Sequence, residues 1–382
     1  MKYLFVVQGE GRGHMTQAIT MMELLCSNGH QVVEVLVGRS KARSLPDFFV
    51  KNIRAEVKQF DSPNFLPKPD NKRSSVSHSL AYNIRMVPEY WQSIRFIAEE
   101  IEQSGADLVI NFYEILTGMA YLLLSPHVPY VCIGHQYLFL HKDFVFPDKR
   151  ILNRMGLLFF TRMTCIRSVR KLALSFRQME SDEERNITVV PPLLRKEVKG
   201  LKATDGDFVH GYMVNSGFCE NVLSWHRKNP DVPLRFFWDK AGKEKETIVD
   251  DTLRFHQIDD KAFLRQMAAC KAYASTAGFE SICEAMYLGK PILMVPAHIE
   301  QDCNAFDAVS SGAGIAANNF DIEKLLFFAS TYKPSSKFRK WADRSEVMIL
   351  PLLLSASVSR LRNPGSRIYQ RLLQPVVKYL FA

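Results

Sequence analysis

A run of five apolar residues, 3–7, opens the chain and gives way at once to the polar, glycine-rich stretch Gln8-Gly9-Glu10-Gly11-Arg12-Gly13-His14. From about residue 15 to residue 27 the pattern predicts a helix, with Asn28-Gly29 as its stop. Residues 32–37 form a second apolar run. Continuous apolar runs, not alternating ones, suit strands of a parallel sheet covered on both faces. The opening therefore reads as a βαβ unit. Residues 107–110 and 129–133 are further strands, with a helix over 117–124 between them, and 188–192 reads as a strand and turn that close a first domain.

After a polar linker over 196–207 the alternation starts again. Strands are predicted at 208–212, 234–238, 253–256, 272–274 and 291–295, with helices over 217–228, 260–269 and 279–288. The expectation is an α/β protein of two Rossmann-like domains facing a cleft, one over 1–200 and one over 201–360, with a final helical segment over 361–382.

Composition adds limits. The 382 residues are 47% hydrophobic and 23% charged, which suits a globular chain. The net charge of +9 fits an anionic small ligand, an anionic membrane surface or nucleic acid. No aromatic-basic recognition motif accompanies it, so nucleic acid is not expected as a partner. Seven scattered cysteines, none at zinc-site spacing, read as free thiols of a reducing compartment. No signal-peptide pattern and no run of about 18–20 apolar residues is present. A cytoplasmic protein is expected, with peripheral attachment to a membrane face left open.

The densest chemistry lies at 275–305. A strand ends near Ala274, a small-residue turn follows, and a helix begins near Gly278, so its free N–H groups and positive dipole end make an anion site. Glu284 stands two turns in, within reach of ribose hydroxyls. The string Ser275-Thr276-Ala277-Gly278-Phe279-Glu280-Ser281-Ile282-Cys283-Glu284, followed by Pro296 and Glu300-Gln301-Asp302-Cys303-Asn304, resembles the donor signature of GT-B glycosyltransferases. The likeness is nearest to the peptidoglycan lipid-intermediate N-acetylglucosaminyltransferase and the UDP-glycosyltransferases. It implies that Gly278 and Ser281 lie at the donor diphosphate, that Glu284 holds the ribose hydroxyls, and that Glu300 and Gln301 grip the transferred sugar, with Phe279 and Asn304 as further donor-binding candidates. Asn215, Ser216 and Gly217 match loosely a loop whose backbone meets the diphosphate, and Ile258 falls where the family holds the base.

In the first half, the peptidoglycan enzyme has a glycine loop ending Gly-His where this chain has Gly13-His14; Glu10 and Arg12 depart from that pattern. His14, with an ordinary pKa near 6.5, suits a general base. His135-Gln136 follows another strand and resembles the family's acceptor stretch, with His135 as the reserve base. Asn111 and Glu114, after the preceding strand, are expected along the same cleft. Gly13, His135, Gln136, Asn111 and Glu114 are thus the candidate acceptor contacts.

The resemblance implies an inverting transfer from a nucleotide-sugar, with UDP-sugar foremost, and no metal or other cofactor. Asp205-Gly206-Asp207 has the Asp-x-Asp form of a metal motif but sits in the linker, and reads as a turn. Residues 149–177 carry eight basic side chains and no acid, with apolar residues spaced as on one amphipathic helix. That segment is a candidate for docking to anionic lipid and so points to a glycolipid or other lipid-linked acceptor. Two alternatives stay open. A nucleotide-sugar 2-epimerase shares the fold but would carry adjacent glutamates after its glycines. A non-catalytic nucleotide-sugar binder needs no base.

Overall fold

The computed structural model describes residues 1–40, 45–63, 83, 85–148, 150–213, 216–238 and 244–358. Its first sheet contains β1 (Lys2–Gln8), β2 (Gln31–Arg39), β3 (Glu56–Asp61), β4 (Leu108–Phe112), β5 (Tyr130–Gly134), β6 (Arg170–Leu174) and β7 (Ile187–Val190). Their order is β3-β2-β1-β4-β5-β6-β7, all parallel. The side-chain alternation of a strand is plain in β1. Tyr3, Phe5 and Val7 pack with helix α1 (Arg12–Ser27), while Leu4 and Val6 point to the opposite face. After α2 (Asp47–Asn52), α3 (Val87–Gln103) covers that opposite face with Tyr90, Ile94, Ile97 and Ile101. Helices α4 (Ile115–Leu123), α5 (Ile151–Thr164) and α6 (Lys196–Gly200) complete this half.

The second sheet contains β8 (Val209–Met213), β9 (Leu234–Trp238), β10 (Glu246–Ile248), β11 (Leu253–Gln257), β12 (Ala272–Ser275), β13 (Ile292–Met294) and β14 (Gly314–Ala316). The order is β10-β11-β9-β8-β12-β13-β14, parallel except for β10 against β11. Its helices are α7 (Cys219–His226), α8 (Asp260–Ala269), α9 (Phe279–Tyr287), α10 (Ile299–Ser310), α11 (Ile322–Thr331), α12 (Ser336–Ala342) and α13 (Ser345–Ser357). The two Rossmann-like domains expected from the pattern are present. Strand order reverses between β1 and β4 and between β8 and β12, which opens a crevice at each carboxyl edge.

One apolar cluster runs through both domains. His135 stacks on Phe279 with ring centres 4.2 Å apart, and Phe176 lies 4.7 Å from the same ring. The chain then returns to the first sheet. Trp341 Nε1 donates to Ser175 O at 2.9 Å, and Ile349, Leu353 and Ala356 of α13 join the first domain's core. Residues 361–382, expected to pack back on that domain, lie outside the described residues; α12 and α13 already make the return.

The single basic helix over 149–177 is corrected. Helix α5 ends at Thr164, Arg167 takes a left-handed φ of 66°, and Arg170–Leu174 enters the sheet as β6. There Leu172 and Leu174 face one core and Ala173 the other, a period of two that the helical spacing had masked. Arg167 donates to Tyr121 O at 2.9 Å, Arg170 to Thr188 Oγ1 at 2.8 Å, and Lys171 to Arg185 O at 2.7 Å. These cations serve the fold of the first domain.

Helix α4 approaches α5 closely enough that a Cβ on Gly118 would lie 1.8 Å from Met163 O. Backbone cannot yield as a side-chain tip can, so Gly118→Ala should cost about 1–3 kcal/mol as overpacking does. Urea unfolding checks this, and an unchanged midpoint would mean that the helices separate freely.

Candidate active site

The glycine loop after β1 is shaped by what it must approach. A Cβ on Gly9 would meet Gly38 O at 2.7 Å, and one on Gly13 would meet Glu280 Oε2 at 2.4 Å. The loop's missing side chains thus let α1 lie against α9 of the second domain. Arg12, at the start of α1, pairs with Asp260 at 3.2 Å and lies over the Phe48 ring at 4.1 Å.

His14 is half-buried and stacks on Tyr113, ring centres 5.4 Å apart. Burial holds its pKa below the ordinary value, and the nearby Glu300 carboxylate pulls it partly back. Gln136 Nε2 lies 3.4 Å from His14 Nε2 and donates to Glu300 Oε1 at 2.9 Å. On the next turn of α1, Gln17 Nε2 donates to Glu280 Oε1. His14, Gln136 and Glu300 therefore meet in one place. Gln17 and Glu280 join them, though the sequence reading passed over both. A charge mismatch was the available signal for Glu280: it is an acid in the first turn of a helix whose N-terminus was assigned to a phosphate.

At the donor motif, the turn before α9 puts Ala277 at a left-handed φ of 62°, and Asn304 Nδ2 secures it by donating to Ala277 O at 3.1 Å. Helix α9 begins after Gly278 without a side-chain cap, so its first N–H groups are left for another acceptor. Ser281 Oγ donates to Gly278 O at 3.1 Å, and Phe279 is committed to the stack with His135. Glu284 is buried and paired with Arg195, Oε1 to Nη2, at 2.6 Å; Arg195 also lies 3.6 Å from Asp260. Burial raises the Glu284 pKa, and Arg195 works against that rise. Ser216 and Gly217 lie in a short turn, Ser216–Phe218, between β8 and α7. Asn215 lies outside the described residues. Ile258 is half-buried directly after β11, just before the α8 cap Asp259.

Several expected contacts have structural duties instead. Asn111 is fully buried, donating to Glu114 O and Thr164 O at 3.0 and 2.9 Å while its Oδ1 accepts from Glu114 N. Glu114 caps α4 by accepting from Leu116 N and also accepts from Ser62 Oγ at 2.7 Å. His135 is 1% exposed; its Nδ1 lies 2.8 Å from Leu174 O and its Nε2 4.0 Å from Asp307. Gln301 Oε1 accepts from Ala297 N at 2.8 Å, so it braces the loop before α10. Asn111 and Gln301 hold these bonds with their side-chain amides, while Glu114 Oε2 and His135 Nε2 are buried without a hydrogen-bond partner. Asp205 stands exposed in the linker, 3.7 Å from Lys290 Nζ.

Residues 1–331 match the family described as glycosyl transferase family 1. The chain belongs to that family and is a glycosyltransferase. No curated protein matches it. Among solved structures it is similar to the glycotransferase of kitacinnamycin, at 15% identity and a TM-score of 0.60 over 90% of this chain and 95% of that one. It is also similar to UGT89C1 of Arabidopsis thaliana complexed with UDP-L-rhamnose, at 14% and 0.57 over 100% and 99%. A third is the spinosyn rhamnosyltransferase SpnG complexed with thymidine diphosphate, at 14% and 0.54 over 91% and 95%. The fold of this glycosyltransferase is thus GT-B.

In this glycosyltransferase the basic segment has a second aspect. Arg150, at the head of α5, pairs with Asp302 of α10 at 3.0 Å. Ile151, Leu152, Met155 and Phe159 turn outward, 61–82% exposed. Beside them a groove of about 580 Å³ is lined by Arg150, Pro296, Asp302, Asn318, Asn319 and Lys324 among others. No helix among the described residues is long and apolar enough to cross a membrane.

Burial raises the Glu114 pKa to about 7, against an unfolded carboxyl near 4.3. The folded enzyme therefore keeps a proton that the unfolded chain releases across that interval. Its contribution to stability is full below the unfolded pKa and is lost as pH rises through the folded one. Glu114→Gln should flatten the decline of the urea midpoint between pH 5 and 8; a slope equal to that of the wild type would mean Glu114 is ionised in the fold.

Proposed function

We propose that this glycosyltransferase moves a sugar from a UDP-sugar to a lipid-linked acceptor, with inversion and without a metal ion. The observation that carries the transfer chemistry is the meeting of His14 with Gln136 and Glu300 beside the start of α9. An acceptor hydroxyl gives its proton to His14 Nε2 as its oxygen bonds to the anomeric carbon. The bond from that carbon to the diphosphate breaks, and its electron pair leaves with the phosphate. The N–H groups at the head of α9 and in the 216–218 turn receive that charge, as an oxyanion hole would. Glu300 accepts from the sugar hydroxyls after releasing Gln136, and Glu284 is available to the ribose once it shares Arg195. Two similar structures hold UDP-L-rhamnose and thymidine diphosphate, which supports a pyrimidine nucleotide.

A lipid acceptor is supported by the outward face of α5. Leu152 at 82% and Phe159 at 65% exposure are large apolar residues in water, and Arg154 and Arg162 flank them. A helix of this kind can seat its apolar face among acyl chains while its arginines meet lipid phosphates. It adjoins the donor domain through Arg150 and Asp302, so a headgroup drawn from the bilayer would enter beside α10.

Two outcomes are expected. His14→Ala should lower turnover by roughly 10²–10⁴ while UDP affinity, read by calorimetry, holds; lost affinity with turnover intact would assign His14 to binding. The wild type should co-sediment with vesicles containing anionic phospholipid at low salt, and Leu152→Glu with Phe159→Glu should stay in the supernatant. Equal sedimentation of both proteins would remove the α5 face as the membrane contact, and a wild type left in the supernatant would favour an acceptor in solution.

A further inference from the structure

Arg195 stands after β7, just before α6, and its guanidinium reaches two acids of the second domain. Nε donates to Glu284 Oε1 at 2.7 Å, and Nη2 lies 2.6 Å from the same oxygen. Nη1 lies 3.6 Å from Asp260 Oδ1. Asp260 in turn accepts from Arg12 Nη2 at 3.2 and 3.3 Å. Charges of alternating sign therefore run from Arg12 through Asp260 and Arg195 to Glu284. The row joins the first residue of α8, two places after Ile258, to the second turn of α9. Glu284 has little access to water, its side chain being 3% exposed. Glu197, Asp260, Glu280 and Tyr273 also face it, and none of them is basic. A buried carboxyl among acids alone would keep its proton, and the Arg195 charge opposes that. An ionised carboxylate accepts hydrogen bonds on both oxygens, whereas a carboxylic acid must turn one oxygen into a donor. Both close contacts of Arg195 fall on Oε1, which leaves the work of Oε2 to another donor.

We propose that Arg195 is a positioning residue of the donor site: it holds Oε1 of Glu284 so that Oε2 meets the ribose hydroxyls, and through Asp260 it ties that acid to the segment after β11. The proposal rests on the reading of Glu284 as the ribose acid. It goes further in assigning a residue of the first domain to orient that acid and keep it ionised. Arg195 itself makes no bond to the nucleotide. Asp260 does not cap α8, since Asp259 does so by accepting from Ala262 N, and its carboxylate is left for the two arginines.

Calorimetry with UDP and with 2′,3′-dideoxy-UDP reads the ribose contact alone, because the two nucleotides differ only in those hydroxyls. The full-length wild type should bind UDP roughly tenfold tighter than the dideoxy nucleotide, as hydrogen bonds to a charged group allow. Arg195→Gln removes the charge and should reduce that preference to about twofold at pH 7. Raising the pH to 9 should return the preference, as Glu284 loses its proton. Asp260→Asn, at a partly exposed helix start, should lower the preference about threefold by loosening Arg195. A merely structural role would weaken both nucleotides by one factor and leave the preference unmoved. A wild-type preference kept by Arg195→Gln, or by Asp260→Asn where the first variant does not fold, overturns the role of Arg195. A wild type that binds both nucleotides equally overturns the reading of Glu284 instead.

Discussion

The domain interface is organised around acidic side chains of the second domain that burial would leave without water. Glu280, Glu284 and Glu300 each find a hydrogen-bond donor on the other side of the chain, in Gln17, Arg195 and Gln136. A buried carboxylate without a partner costs several kcal/mol, so the two halves must come together in one register. That register brings the head of α1 to the head of α9. It also places His135 on Phe279, since the ring pair lies on the same seam. Burial still leaves its mark, because the Glu280 carboxyl is pushed up to about 7.

Two of the groups that hold the interface, Glu284 and Glu300, are those proposed above for the donor. Arg195 occupies Glu284, and Gln136 occupies Glu300. Both contacts cross from one domain to the other, so the proposed donor residues also belong to the domain interface. Asn304 and Gln301 are bonded within the second domain. They fix the turns at Ala277 and Ala297, and so hold the N-termini of α9 and α10 in place.

Helix α5 shows how one segment can answer to two demands. Its buried side, with Thr161 and Thr164, is bonded into the first domain, and Met163 O lies against Gly118. Its other side leaves Leu152, Met155 and Phe159 in solvent. The positive charge that made the whole stretch look uniform divides at Thr164. Beyond that point Arg167, Arg170 and Lys171 satisfy main-chain and hydroxyl oxygens within the domain.

Much of the architecture was legible in the sequence because it depends on local pattern. Continuous apolar runs such as those of β1, β4 and β5 admit few structures other than covered parallel strands. The turn and helix at 275–287 likewise follow from neighbouring residues, as does the glycine loop before His14. Strand β6 was hidden, because Ala173 fits a helical spacing with Val169 and Phe176, and only pairing with β5 and β7 distinguishes a strand from that helix. The roles of individual polar residues were harder still. Asn111 and Glu114 stand at a carboxyl edge, as cleft residues would, yet their partners at Thr164 and Ser62 are 53 and 52 residues away in sequence. Glu280 shows the limit most clearly: its charge at a helix N-terminus stands out locally, but its partner Gln17 is 263 residues away and nothing local marks that residue. Sequence alone therefore determined the strands with continuous apolar runs, the helices beside them and the glycine turns that join them. The tertiary structure decided which polar side chains remain for chemistry, because burial obliges each to find a partner and those partners come from distant parts of the chain.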